Sequence, residues 1–285
     1  MITVETVDKL IASSRPKPGL VRGISLAMLG LAIFLGALLI NPDLLEWSGS
    51  LGMFFMQIIV IALVAAIIWS ATRQRRLAGV LLDSFEAVQL KQWDRAQNAL
   101  VKLLRYPIRQ PQVRAESLLA LAALAEARHL YEASQRIYES LLEESNADPI
   151  QIHTAQVALA AVMLRTGQIT DAVDLVDRLA RQELPEPLRA QVELLSLFRE
   201  VTMGQAEAGV DRAQQRRELF RNHLSTRAGY GYGLLAAAFD RAGQPQSAEK
   251  YWHDATMLVR PQDLLERFSE LAPIAEKYHA AEYAI

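Results

Sequence analysis

The residues of this chain that could do chemistry are few and far apart. The chain has no cysteine, which excludes disulfides, thiolate metal sites and cysteine nucleophiles. No Walker loop, dinucleotide fingerprint or nucleophile-elbow Gly-x-Ser-x-Gly occurs. No two of the five histidines stand four residues apart, the spacing that places two metal ligands on one helix face. We therefore expect no catalytic residue, no metal and no cofactor, and a protein that is not an enzyme.

Positive charge is concentrated in one stretch of the second half. Four arginines form this basic patch: Arg212, Arg216, Arg217 and Arg221. An apolar stripe that begins at Ala206 predicts that Arg212, Arg216 and Arg221 point outward from a helix. The patch is either a solvated face, balanced by neighbouring glutamates, or a contact for an acidic partner or for lipid headgroups.

Two long apolar segments lie ahead of this region, at residues 20–40 and 51–71. Each has about the 20 residues that a helix needs to cross a bilayer, so residues 20–71 are predicted to form a transmembrane hairpin. Gln57 is a strongly polar residue of the second segment, where an amide holds two helices together or, less commonly, lines a substrate path.

The charges around these segments predict how they are oriented. The loop at residues 41–50 contains no Lys or Arg, whereas basic residues flank both segments on the other side. Because basic residues stay on the cytoplasmic side, residues 1–19 and everything after residue 71 are expected in the cytoplasm. The predicted localisation is an integral membrane protein with two spans, of the bacterial inner-membrane type.

The N-terminal segment has two interpretations. Val4, Val7, Leu10 and Ile11 have the spacing of a short amphipathic helix. A loosely ordered chain terminus is the alternative.

From about residue 77 onward, the pattern is one of repeated helical pairs. Small residues recur in steps of 37 to 39 and mark an early position of each second helix: Ala96, Ala133, Ala172, Gly209 and Ala248. A repeat of that length is typical of an array of helical hairpins. Gly167 and Gly243 stand where a helix should end in a left-handed residue. We assign residues 77–285 to one repeat domain that ends in a capping helix.

Two copies carry a recognisable motif. Gly167-Gln-Ile-Thr-Asp-Ala172 and Gly243-Gln-Pro-Gln-Ser-Ala248 show the Gly-x-x-x-x-Ala spacing, followed by an apolar stripe and a proline. This pattern resembles the tetratricopeptide repeat, although the period here exceeds the usual 34 residues. The resemblance implies an all-α protein, an α-solenoid of tetratricopeptide-like hairpins.

The same resemblance implies a concave groove lined by the first helix of each pair. Carried over onto this sequence, it assigns the following groove residues: Leu118, Ala122, Val157, Ala161, Leu164, Arg165, Tyr230, Ala237 and Arg241. The set is mostly small and apolar, which suits an amphipathic helix or an extended apolar segment. Alternatively, the small residues permit tight helix packing and no ligand enters.

These observations predict a membrane-anchored scaffold or adaptor that binds a protein partner at the cytoplasmic face. The partners expected are other subunits of a membrane complex or an apolar helical segment, together with membrane lipid. A net charge of −2 gives no reason to expect nucleic acid. The alternatives are an envelope-assembly chaperone with its repeats outside the cytoplasm and a regulatory subunit of a membrane enzyme or transporter.

Overall fold

The described secondary structure of this chain, in a computed structural model, is entirely helical, as the repeat pattern predicts. The chain divides into two compact units, residues 1–147 and residues 148–285. The predicted repeat domain, residues 77–285, therefore extends across both units. The structure describes residues 3–16, 68, 72, 75, 79–84, 86–88, 90, 92–108, 110–144 and 148–279.

The first unit is built from helices that pack on one another in pairs. Residues 79–84 and 86–88 are also helical. They precede the helix that begins at Trp93. The four numbered helices of this unit are α1 (Val4–Ser14), α2 (Trp93–Leu104), α3 (Pro111–Ala127) and α4 (Tyr131–Leu142).

The second unit continues the alternation of longer and shorter helices. Its α-helices are α5 (Pro149–Arg165), α6 (Ile169–Ala180), α7 (Glu186–Thr202), α8 (Ala206–Asp211), α9 (Ala213–His223), α10 (Ala228–Arg241), α11 (Pro245–Thr256), α12 (Pro261–Arg267) and α13 (Ala272–His279). Single 3-10 turns at Ser225–Arg227 and Ser269–Leu271 precede α10 and α13. Helices α5 and α6 form one hairpin, α7 with α8 and α9 a second, and α10 with α11 a third.

The helix lengths repeat as regularly as the sequence does. Helices α3, α5 and α7 each have 17 residues, whereas α2, α4, α6 and α11 each have 12. Proline begins α3, α5 and α11, a position where its missing N–H loses no helical hydrogen bond.

The turn between the two helices of a hairpin has the same geometry each time. Gly167, Gly204 and Gly243 have φ of 78°, 75° and 72°, and His129 takes the same left-handed conformation at φ 58°. The next residue then donates its N–H to the carbonyl five residues back, as from Gln168 to Met163 at 2.9 Å. This is the helix-ending arrangement that a left-handed residue permits. The predicted roles of Gly167 and Gly243 are confirmed.

The shared turn corrects the alignment of the second copy by one residue. Counted from the turn, Ala96, Ala172, Gly209 and Ala248 are equivalent, and all four are buried. The equivalent residue of α4 is Ser134, which is fully buried, rather than the neighbouring Ala133. A small residue at this position lets the two helices of a hairpin approach closely.

The predicted localisation is contradicted by the described helices. In the part of the chain that the structure describes, no helix is both long and apolar enough to cross a membrane. The longest helices there have 17 residues and carry charged or histidine side chains, whereas a span needs about 20 predominantly apolar residues. The integral-membrane localisation is corrected accordingly. The segments 20–40 and 51–71, with Gln57, lie outside the described residues except for Ile68.

Candidate functional site

A short amphipathic helix near the N-terminus is docked on the first unit. Thr3 caps α1, because its Oγ1 accepts the N–H of Thr6 at 3.2 Å. Val7, Leu10, Ile11 and Ser14 are buried, which is the i, i+3, i+4, i+7 face of one helix. Of the two interpretations of this segment, the structure shows the helix.

The apolar face of α1 packs against α2 and α4. Hydrogen bonds fix the end of the helix to the last residue of α2 and to the segment that follows it. The Ser13 hydroxyl donates to the carbonyl of Leu104 at 2.9 Å, and the Ile108 N–H donates to the carbonyl of Ser14 at 3.1 Å. The docking therefore combines burial of an apolar face with direct contacts to the backbone of the helix end.

Arg114, in the first turn of α3, closes over the C-terminal end of α1. Its side chain is 3% exposed. Its Nε donates to Ser14 Oγ at 3.0 Å and its Nη2 donates to the carbonyl of Ile11 at 3.2 Å, while Nη1 pairs with the Glu144 carboxylate. The last carbonyls of a helix have no partner within it and carry partial negative charge. Since the last turn of α1 has no basic residue of its own, Arg114 supplies the positive charge.

Arg136 of α4 contacts the polar side of α1. Its Nε donates to Asp8 Oδ1 at 2.9 Å, and both side chains are partly exposed. The hydrogen bond from Arg136 to Asp8 and the charge of that carboxylate raise the pKa of the guanidinium above its ordinary value. An exposed pair of this kind contributes little to stability but fixes how the helix is rotated on its support. We name the surface of α2, α3 and α4 that holds α1, including Arg114 and Arg136, the α1 site.

The predicted groove residues fall into two groups by burial. Partly or fully exposed are Ala161, Arg165, Tyr230 and Arg241. The buried members are Leu118, Ala122, Val157, Leu164 and Ala237. Their burial favours the packing alternative for this second group.

In the second unit, the C-terminal segment covers the face of α10 that the groove prediction selected. Tyr230 makes an edge contact with Phe268 at a centroid distance of 6.0 Å, and the Arg267 guanidinium lies 5.0 Å from the Tyr230 ring centroid. A Cβ added at Gly233 would lie 3.0 Å from Leu271 Cδ1. Residues 261–279, predicted to cap the repeats, therefore pack on α10.

One arginine of the predicted basic patch is buried, and the other three are partly or fully exposed. Arg216 is 1% exposed and not outward, so the predicted orientation is wrong at this position. Its Nη1 and Nη2 donate to the two carboxylate oxygens of Glu200 at 2.6 and 2.8 Å, and its Nε donates to Glu193 at 3.1 Å. Arg212 donates to Glu200 as well, at 2.9 Å. Arg216 of α9 and Arg212, the residue just before α9, thus form ion pairs with Glu193 and Glu200 of α7.

The buried charges of this network are fully paired. Burial lowers the pKa of the Arg216 guanidinium, but the hydrogen bonds and charges of Glu200 and Glu193 outweigh burial, and the pKa lies above its ordinary value. The sequence prediction missed both glutamates. Their signal was the spacing of seven residues, which places them on one face of α7, together with the Gly204-Gln205 turn that brings α8 and α9 back against it.

The other two arginines of the patch lie outside this ion-pair network. Arg217 donates to Asp254 at 3.0 Å and lies 5.7 Å from the Tyr251 ring centroid. Burial raises the pKa of the Tyr251 hydroxyl, and the positive charge of Arg217 opposes that shift. Arg221 is exposed. The predicted patch therefore consists of an ion-pair network around the buried Arg216, with Arg217 and Arg221 beside it.

No protein-family model, curated protein or solved structure was found to match this chain. The tetratricopeptide resemblance stays a prediction that rests on Gly167–Ala172 and Gly243–Ala248. Among the described residues, no group of three or more His, Asp or Glu side chains could hold a metal ion. The α1 site, where α2, α3 and α4 hold a separate amphipathic helix, is the candidate functional site.

Proposed function

We propose that this chain is a non-catalytic scaffold whose helical hairpins bind a helical segment of a protein partner. The observation that supports this most directly is the docking of α1 on the first unit. There, a surface made by hairpin helices holds an amphipathic helix through its apolar face and its C-terminal carbonyls. Binding of an amphipathic helix in a groove or on a helical face is a common mode of peptide recognition.

The proposal also rests on the regular framework beneath this surface. The hairpins are built from helices of constant length with constant turns, so the side chains on their faces occupy fixed positions. A contact site on rigid elements keeps its geometry and loses little conformational freedom on binding. The framework suits a protein whose role is to hold another protein.

A capture experiment tests the proposal. The full chain, with a C-terminal tag, is isolated from its source cells after chemical cross-linking, and each enriched protein is then purified and titrated against the chain by calorimetry. We expect at least one protein to bind with saturable, defined stoichiometry, and its cross-linked peptides to lie in an amphipathic helix. If every enriched protein fails to bind once purified, the scaffold proposal is wrong.

A further inference from the structure

We infer that the α1 site is the place where an amphipathic helix of a partner protein binds, and that α1 is a built-in competitor for it. This inference rests on the scaffold function proposed above and names its site, the chemistry of its ligand and its regulation. The partner helix recognised is one with the pattern of Val7 to Ser14, an apolar residue followed by Asp, then Leu-Ile, then a small polar residue at the helix end.

The first argument is that α1 is held by contacts from remote parts of the chain. The polar contacts of α1 with Leu104, Arg114 and Arg136 join residues 91 to 128 positions apart in sequence. By contrast, α3 and α4 are joined by a three-residue turn that keeps them together. The docking of α1 is therefore set by its non-covalent contacts, as for a ligand.

The second argument is that each contact recognises a feature that many helices have. Val7, Leu10 and Ile11 present an apolar face. Arg114 contacts a backbone carbonyl and a serine hydroxyl at the helix end, and Arg136 contacts one carboxylate. A partner helix with these features would satisfy the same donors.

The third argument is that the site tolerates release of α1. Arg114 keeps its ion pair with Glu144 when α1 leaves, and Arg136 is already partly exposed. Release therefore strands no unpaired buried charge, which would be the expensive outcome. An isolated helix of 11 residues is marginal in water, so α1 gains its helicity from the site and loses it on release.

The test uses the full chain with two substitutions in α1. Val7→Asp together with Leu10→Asp removes the apolar face of α1 and vacates the site without changing any residue of α2, α3 or α4. A fluorescent peptide of residues 3–16, blocked at both ends, is titrated against this variant and against the unchanged chain. If α1 occupies the site in about nine molecules of ten, the unchanged chain should bind the peptide about tenfold more weakly than the vacated variant.

A charge exchange checks that the peptide lies in the α1 site. Arg136→Asp in the vacated variant should weaken binding, and an Asp8→Arg peptide should restore it. The matched control is Arg189→Asp, which reverses an exposed arginine of α7 in the second unit and should leave peptide binding unchanged. Equal binding by the vacated variant and the unchanged chain would overturn the inference. So would no binding by a vacated variant in which α2, α3 and α4 keep the protection from hydrogen exchange that they have in the unchanged chain.

Hydrogen–deuterium exchange on the unchanged chain provides a test that does not depend on how the variant folds. Amides of α1 should exchange faster than those of α3 and α4, because α1 leaves without the hairpin unfolding. Protection of α1 equal to that of α3 would overturn the inference. Dimers of the unchanged chain that the peptide dissociates would also overturn it, because they would make the occupant α1 of a second copy. A partner captured through another surface would survive either failure, so the scaffold proposal is tested separately.

Discussion

Two neighbouring hairpins of the second unit are α5 with α6, and α7 with α8 and α9. They share the same turn geometry and differ in the side chains between their helices. Both turn at a left-handed glycine, Gly167 or Gly204. In the first hairpin the buried stripe is Ala172, Leu175, Val176 and Leu179. Counted from the turn, the residues of the second hairpin that match Leu175 and Leu179 are Arg212 and Arg216.

The charges are matched on the other helix of the pair. Gln156 and Met163 of α5 correspond by position to Glu193 and Glu200 of α7, so the two hairpins differ in chemistry on both of their helices. In the third hairpin, aromatic rings occupy the positions that match Glu200 and Arg212. There Phe239 stacks on Tyr251 at a centroid distance of 5.1 Å. The turn and the helix spacing therefore determine the hairpin. The side chains between its two helices can be apolar, ionic or aromatic, provided that the two helices carry side chains of matching chemistry.

Removing the matching side chain from one helix of a hairpin should give the largest loss of stability. Glu200→Met places the α5 residue in α7 and leaves Glu193 as the carboxylate that pairs with Arg212 and Arg216. Removal of one partner from a buried ion pair costs about 3–5 kcal/mol, and we expect a loss of that size in the free energy of unfolding of the second unit. Hydrogen exchange of α7 and α9 measures it. The control, Glu186→Gln, removes an exposed partner of Arg189 and should cost at most about 1 kcal/mol.

Changing both sides together should reverse the loss. Glu193→Gln, Glu200→Met, Arg212→Leu and Arg216→Leu in one chain convert the second hairpin to the chemistry of the first. Well-packed apolar replacement of a buried ionic network ranges from neutral to about 1–4 kcal/mol stabilising. Urea titration should therefore give the quadruple variant at least the stability of the unchanged chain. A quadruple variant as unstable as Glu200→Met alone would show that the two hairpins do not share one frame.

The turns should respond alike in both hairpins. Gly167→Ala and Gly204→Ala each place a Cβ at a left-handed residue. Apart from the two neighbouring residues in the chain, no atom of the described residues lies within 4 Å of that Cβ. The backbone conformation alone then sets the penalty, about 1 kcal/mol in each case. Thermal unfolding should show equal shifts for the two variants. A much larger shift for Gly204 would place part of the difference between the hairpins in the turn.

A peripheral ion pair offers the smallest effect and contrasts with the buried network. Burial pushes the pKa of Asp240 upward, but hydrogen bonds from Lys277 and Tyr278, each 2.6 Å long, outweigh it and leave the pKa below 3.8. Because the folded pKa is the lower one, the stabilisation is present above pH 3.8 and is lost as the pH falls through the folded value.

NMR of the α13 amides measures this loss. We expect α13 to loosen in acid in the unchanged chain and to be looser at neutral pH in Asp240→Asn, without the acid step. An acid step that persists in Asp240→Asn would assign it to another carboxyl group.

The helices and turns follow from local sequence, and the contacts between remote segments do not. The stripe at Ala172 and the glycines at 167 and 243 suffice to place two hairpins. The Gly-Gln pairs at 167, 204 and 243 would have placed the turn before α8 as well. A helix at Val4 to Ser14 was one of two open interpretations.

What sequence reasoning could not supply is the partner of each polar side chain. Arg216 looks too costly to bury until Glu193 and Glu200 are known to face it. Arg114 reads as an ordinary charge at the start of α3 until Ser14, 100 residues away, is known to contact it. The localisation inferred from two apolar runs was also wrong, because hydropathy indicates which segments could cross a bilayer and the described helices include none that could.

The distance in sequence between α1 and its site has a consequence during synthesis. Arg136 follows Asp8 by 128 residues, so α1 leaves the ribosome well before α2, α3 and α4 exist. At roughly 5–20 residues per second, the interval is on the order of 6–26 s. Throughout that time the apolar face of α1 lacks the helices that cover it in the folded chain. The nascent chain therefore exposes its competitor helix first and completes the surface that holds it only later.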